Sequence, residues 1–199
     1  MHIMRKLWKK LIYFLERCDF MTKIIVFSDS HGEMGDMQYI IDRVHPDAEY
    51  VLHLGDGEAD IERLSPQFPR QAFVGIKGNC DWGFGNGYNG AHRTLDIEGV
   101  RIFMCHGHRH DVVCGDYSVL SAAANSLRAD IALFGHTHYS EYSVVLKSGK
   151  TDINEKGAAL HIMNPGSVTR PRGGTVKGKS YGIIMLDGKG GIEISLHAV

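Results

Sequence analysis

A chain of 199 residues is long enough to bury most of its apolar surface in one domain carrying at most a small appendage. Its 22 basic and 23 acidic residues leave a formal charge of -1, which gives no indication of a broad nucleic-acid-binding surface. No apolar run reaches the roughly 18 to 20 residues that span a bilayer, no small-residue cleavage site closes the short apolar run near the start, and Cys18, Cys80, Cys105 and Cys114 lack paired spacing, so reduced thiols in the cytoplasm are expected.

Residues 1–20 differ from the rest of the chain. Leu7, Trp8, Leu11, Ile12 and Leu15 share one helical face, with Arg5, Lys6, Lys9, Lys10 and Arg17 largely elsewhere, the pattern of a short basic amphipathic helix. Two origins fit it: an upstream reading-frame extension, or a helix that docks on a membrane or a partner. Met21-Thr22-Lys23 then looks like an ordinary protein start, so the domain is placed at 21–199. From there strand and helix alternate: strand 23–28, helix about 35–44, strand 50–54, helix about 58–64 and strand 71–75, an order that implies parallel βαβ units. The loop from Asn79 to Gly90 is Gly-rich, but no Gly-Lys-Ser/Thr follows to make it a phosphate-cradling loop. A hairpin across Glu98-Gly99, a helix about 116–128 and a strand 131–134 continue the sheet. Strands near 141–147, 158–163, 180–186 and 191–197, with no convincing helix, predict a second, largely antiparallel sheet packed on the first.

Twelve histidines are the unusual count, because several cluster beside Asp and Gly. Each apolar run delivers a metal-capable side chain just past its carboxyl end. Ile24 to Ser28 leads to Asp29 and His31, Tyr50 to Gly55 to Asp56, and Phe73 to Gly78 to Asn79; Arg101 to Cys105 leads to His106, and Ile131 to Gly135 to His136 and His138. In open α/β sheets ligands bind at the carboxyl edge of the strands, so these deliveries converge on one crevice. Asp and neutral His suit Mn, Fe, Ni or Zn, and two such ions about 3.5 to 4 Å apart can share a carboxylate. Two dications and two carboxylates leave roughly +2, for which a phosphoryl group is the natural anion.

Singly, each element has a plainer reading: Asp29 as a helix cap, Gly55-Asp56 as a turn, and His53, His92, His161 and His197 as hydrogen-bonded structural residues. Cys105 beside His106 reads as a packed core thiol, not a nucleophile. The shared habit of the strand ends is what the plainer readings leave unexplained.

The motifs Asp29-Ser30-His31-Gly32, Gly55-Asp56, Gly78-Asn79-Cys80-Asp81, His106-Gly107-His108 and Gly135-His136-Thr137-His138, joined by Asn164-Pro165-Gly166-Ser167, resemble the calcineurin-like metallophosphoesterase superfamily, in particular its small bacterial and archaeal phosphodiesterases. The resemblance implies a four-layer αββα sandwich, two mixed sheets flanked by helices. It implies one metal on Asp29, His31, Asp56 and His138 and a second on Asp56, Asn79, His106 and His136, with Asp56 bridging. The reading is hydrolysis of a small phosphodiester by a hydroxide held between two divalent ions, for which the Asp and His donors favour manganese, with iron, nickel or zinc as alternatives. Many members have His where this chain has Cys80, so the leaving-group acid is open: His108 first, then Asp81 or a metal-bound water. His108, Asn79 and Asp56 are thus the residues placed in catalysis. The rivals are a phosphomonoesterase or nuclease, and a non-catalytic interaction scaffold, since the fold also resembles a retromer subunit with an impaired metal site. The expected partner is a small phosphate ester; the sequence also allows a homo-oligomer.

Overall fold

A computed structural model describes residues 21–81, 92–147 and 159–199. The amphipathic segment 1–20, Cys18 and most of the Gly-rich loop lie outside the described residues.

The first sheet is built on β1 (Thr22–Phe27), β2 (Tyr50–His53) and β3 (Ala72–Gly75), which run parallel as the βαβ pattern predicts. Its crossovers are α1 (Gly35–Tyr39), which runs on into a π turn at Ile40–Val44, and α2 (Glu58–Leu64). The second sheet contains β4 (His92–Ile97), β5 (Val100–Cys105), β6 (Ile131–Leu133), β7 (Tyr139–Leu146), β8 (Ala159–Pro165) and the two-residue β9 (Gly173–Gly174); α3 (Ser118–Ser126) joins β5 to β6. The chain then returns to the first sheet with β10 (Ser180–Leu186) and β11 (Ile192–Ala198). The strand orders are β11-β10-β1-β2-β3 and β4-β5-β6-β8-β7-β9.

This corrects the expected division of strands. The hairpin and β6 do not extend the first sheet; they found the second, together with β7 and β8. The last two strands add antiparallel to the edge of the first, with Ile24 opposite Ile184 and Val26 opposite Gly182. The second sheet is mixed, since β5, β6 and β8 are parallel while β4 and β7 pair antiparallel at either side. Strand alternation, which puts successive side chains on opposite faces, generates the four layers. In β1, Ile24 and Val26 face the second sheet and meet Leu52, Met104, Leu133, Met163 and Ile184 in the central core. Ile25 and Phe27 point the other way, into a cluster with Met37, Ile40, Ile41, Ile61 and Leu64 from the helices over the first sheet. On the far side, Phe103, Phe134 and Ile162 pack with Leu120 and Ala124 of α3. The two sheets come close at Gly182, where an added Cβ would stand 2.8 Å from the Met163 sulfur. Among the described residues no helix is long and apolar enough to cross a membrane.

Candidate metal centre

The loops that leave β1, β2, β3, β5 and β6 meet at one edge of the sandwich. Within the first sheet, Asp29 N donates to Gly55 O (3.1 Å) and His31 N to Asp56 O (2.9 Å), so the loops after β1 and β2 are laced together. Within the second sheet, Gly135 N donates to His106 O (3.0 Å). A side chain at Gly135 would put its Cβ 1.9 Å from Ser28 Oγ and 2.8 Å from Asp29 Oδ2, so glycine is what lets the β6 loop close on the β1 loop. Five of the eight described non-glycine residues with positive φ are candidate ligands: Asp29, His31, Asp56, His136 and His138. Left-handed backbone is costly for such residues and concentrates at functional sites, because the surrounding structure must hold it in place.

Asp29 is fully buried. Its Oδ2 accepts from Ser28 Oγ (2.6 Å) and His136 N (3.1 Å), and its backbone carbonyl accepts from Ser167 Oγ and Thr169 Oγ1. Its Oδ1 takes no hydrogen bond, although His138 Nε2 lies 3.3 Å away and His106 Nε2 3.9 Å. Asp56 Oδ2 lies 3.5 Å from His106 Nε2 and 4.0 Å from His31 Nε2, between the two groups of ligands, while Oδ1 accepts from Cys80 N (2.7 Å). Three donor triads result: Asp29, His31 and His138; Asp29, Asp56 and His106; and His31, Asp56 and Cys80. Asn79 Oδ1 sits 3.1 Å from His106 Nε2, and the His136 ring centroid is 5.2 Å from that of His106. The seven sequence-expected ligands are therefore brought together at one place.

The proton positions test whether metal ions fit there. His106 Nδ1 lies 2.7 Å from Leu54 O and His138 Nδ1 2.6 Å from Arg170 O; a carbonyl only accepts, so both Nδ1 atoms carry hydrogen. Their Nε2 atoms then turn lone pairs toward Asp29 Oδ1, Asp56 Oδ2 and Asn79 Oδ1, which are acceptors too. Such a cluster calls for positive charge, as a proton or as a metal cation. Burial opposes protonation of His106, yet Asp56 and Asp29 raise its affinity for a proton. The same pull raises its affinity for a metal, and a Nδ1–H fixed by a carbonyl is how metal-binding histidines are oriented. Burial alone would raise the Asp56 and Asp29 carboxyl pKa values, but the neighbouring imidazoles, with Cys80 N–H for Asp56 and Ser28 for Asp29, hold both below the usual range. The residues fit divalent ions.

Around this cluster stand residues that hold its loops in place or border it. Asp81 Oδ2 accepts from Asp56 N and Gly78 N (both 2.7 Å), and Oδ1 from Gly57 N (2.9 Å) and Glu58 N (3.0 Å). With four backbone donors it anchors the β2 loop to the β3 loop and caps α2, and neither oxygen is left for a leaving group. Gly55 N donates to His53 Nδ1, so His53 Nε2–H points to Ser30 Oγ (3.0 Å), which donates to Asp60 Oδ2 (2.6 Å); this buried chain braces the turn carrying His31. Asn164 Nδ2 donates to Gly135 O and Thr137 Oγ1 and its Oδ1 accepts from Gly166 N, so the Asn164–Ser167 turn supports the His136 loop. His108 borders the cluster, 5.5 Å between ring centroids from His106, with its buried Nδ1 unpartnered. Burial, His106 and Arg109 depress its pKa, so it stands neutral at pH 7. Burial and Asp56 push the Cys80 thiol up to about 11, and burial pushes Cys105 up to about 12, so both remain thiols. The cleft over the cluster has a volume of about 680 Å³ and includes Arg170 and Arg172 in its wall.

Residues 22–189 match the model of the calcineurin-like phosphoesterase superfamily domain. A probable metallophosphoesterase of Bacillus subtilis, YsnB, is 29% identical over 164 residues, which cover 82% of this chain and 84% of the relative. Among solved structures, a Streptococcus pneumoniae protein described as a predicted phosphoesterase is similar at 26% identity and a TM-score of 0.66, covering 89% of this chain and 90% of that one. Two more share the fold: Vps29 of Entamoeba histolytica complexed with zinc (22%, TM-score 0.62, 88% and 98% covered) and an archaeal phosphodiesterase (19%, TM-score 0.61, 88% and 100% covered). With its fold, its motifs and most of its length accounted for in this way, the chain belongs to the calcineurin-like phosphoesterase superfamily.

Proposed function

We propose that this protein hydrolyses a small phosphodiester in the cytoplasm with two divalent ions. One is held by Asp29, His31, Asp56 and His138, the other by Asp56, Asn79, His106 and His136. The observation that carries the reading is the buried Asp29 Oδ1, without a hydrogen bond and facing two imidazole lone pairs. When bound, two such ions supply Lewis-acid stabilisation of the phosphoryl oxygens and a water acidic enough to act as nucleophile near neutral pH. The chain's own share is positional. Asp56 stands between the two ligand groups, Asp81 fixes Asp56 relative to Asn79, and the His53–Ser30–Asp60 chain fixes His31. His108, neutral at rest, offers one N–H to a phosphoryl or leaving-group oxygen and becomes a proton donor only if the bound anion draws a second proton onto it. The similar archaeal phosphodiesterase supports a diester as substrate.

The scaffold reading has in its favour the fold shared with Vps29. Against it, every expected donor is present here, and the donors assemble. The test is turnover of small phosphodiesters, cyclic nucleotides and phosphomonoesters by one metal-defined preparation. Exhaustive chelation abolishes activity and Mn restores more than Mg, because histidine nitrogens favour borderline transition ions over a hard, oxygen-seeking one. Full turnover with no metal left by elemental analysis removes the mechanism; two tightly bound ions with no ester turned over favours the scaffold.

A further inference from the structure

The wall of the cleft facing His138 is the segment Arg170-Pro171-Arg172, and it is held firmly. Arg170 N donates to Ser167 Oγ (2.8 Å), His138 Nδ1–H to Arg170 O (2.6 Å), and Arg172 N to His138 O (3.0 Å). Pro171 between the arginines narrows the backbone further. Both guanidinium groups are on exposed residues that line the cleft with His31, Asp56 and His136, and among the described residues neither makes a hydrogen bond or an ion pair. Asp56 is the one acidic residue in that lining.

Two cations with no acidic partner among the described residues, beside a centre that would itself carry roughly +2, make this wall of the cleft attractive to an anion. A simple phosphodiester brings a single negative charge, which the centre itself takes up. We propose that Arg170 and Arg172 form a second anion subsite, so that the preferred substrate is a phosphate ester carrying a further phosphate group beside the one cleaved. Arginine suits this role, because its planar fork matches phosphate oxygens in pairs and it keeps its charge at any working pH. Their backbone attachment to His138 keeps the two side chains beside the metal cluster. This inference rests on the proposed phosphoesterase reading for the position of the first phosphate.

The experiment compares affinities by calorimetry for the Mn-loaded protein, with thymidine 5′-phosphate and thymidine 3′,5′-bisphosphate as probes. Turnover of thymidine 5′-(p-nitrophenyl phosphate) and of its 3′-phosphorylated form is measured alongside. The wild-type protein binds the bisphosphate at least about tenfold more tightly, the size expected of one charge-assisted pair. The ratio falls to about one in the Arg170→Gln/Arg172→Gln double variant, with metal content checked by elemental analysis. Equal affinity for the two probes in the wild type, or a preference that survives in the double variant, overturns the proposal. Tight, arginine-dependent bisphosphate binding without turnover of either ester leaves the subsite standing and sinks the hydrolase reading instead.

Discussion

Asp81→Asn is nearly isosteric, so it tests hydrogen bonding and not volume. The carboxylate accepts from four backbone N–H groups, two on each oxygen, at 2.7 to 3.0 Å. An asparagine keeps one oxygen and turns an NH2 toward the other pair of donors. Two charge-assisted hydrogen bonds are lost, each worth about 1.5 to 3 kcal/mol, and two N–H groups are left facing a donor. The expected loss is therefore about 3 to 6 kcal/mol, a large share of the roughly 5 to 15 kcal/mol that a domain of this kind has. The same change weakens the tie between the Asp56 and Asn79 loops, leaving Cys80 N–H on Asp56 Oδ1 as their remaining link, so metal affinity should fall together with stability. The assay is urea unfolding of the metal-free protein, with metal titration in the absence of urea. A variant within about 1 kcal/mol of wild type that keeps full metal content would refute the anchoring role.

Three further outcomes are expected from the structure. Burial pushes the His53 imidazole down to about 4, from 6.5 in an unfolded chain, with nearby Asp29, Asp81 and Asp60 offsetting only part of that. The unfolded chain therefore takes up a proton that the native protein refuses, so stability is full above pH 6.5 and declines as pH falls toward 4. The gap is worth about 3 kcal/mol, and metal-free His53→Gln should show that much less acid sensitivity in unfolding measurements between pH 7 and 4; parallel pH profiles would contradict it. Gly135→Ala should cripple assembly of the centre, because its Cβ would overlap Ser28 Oγ and crowd the Asp29 carboxylate; undiminished metal binding by calorimetry would count against this. Removal of residues 1–20 should leave fold and turnover intact, since β1 begins at Thr22; unfolding of the truncated protein by circular dichroism would show that their apolar stripe belongs to the core.

The candidate ligands are legible in the sequence because they sit at fixed places relative to strands. A run such as Ile131 to Phe134 announces a buried strand, and the next polar residues are delivered to its carboxyl edge whatever sheet it joins. Which sheet it joins is not legible. β10 and β11 read as partners of their sequence neighbours, yet β10 pairs with β1, about 160 residues earlier, and carries β11 with it, because strand pairing is decided by long-range contacts that local pattern does not encode. Asp81 can be noticed, two residues past Asn79, but its partners are backbone N–H groups, which no side-chain motif records. His53 reads in the sequence as one more structural histidine, and its role beneath His31 needs Ser30 and Asp60 in view together. Arg170 and Arg172 give no signal at all, since an isolated Arg-Pro-Arg looks like any solvated turn. The left-handed backbone of Asp29, Asp56 and His136 is equally silent, because Asp and His carry no mark of the conformation they are held in.

The proposed mechanism depends on Asp56 standing between two metal sites. Its Oδ2 lies 3.5 Å from His106 on one side and 4.0 Å from His31 on the other, whereas His31 and Asn79 each belong to one side only. Metal stoichiometry, measured beside turnover at one moderate metal concentration for wild type, Asp56→Asn, His31→Ala and Asn79→Ala, tests this directly. Loss of both ions together is expected in Asp56→Asn, loss of about one ion in each of the other two, and a drop in turnover in all three. Two tightly bound ions and near-normal turnover in Asp56→Asn would contradict it.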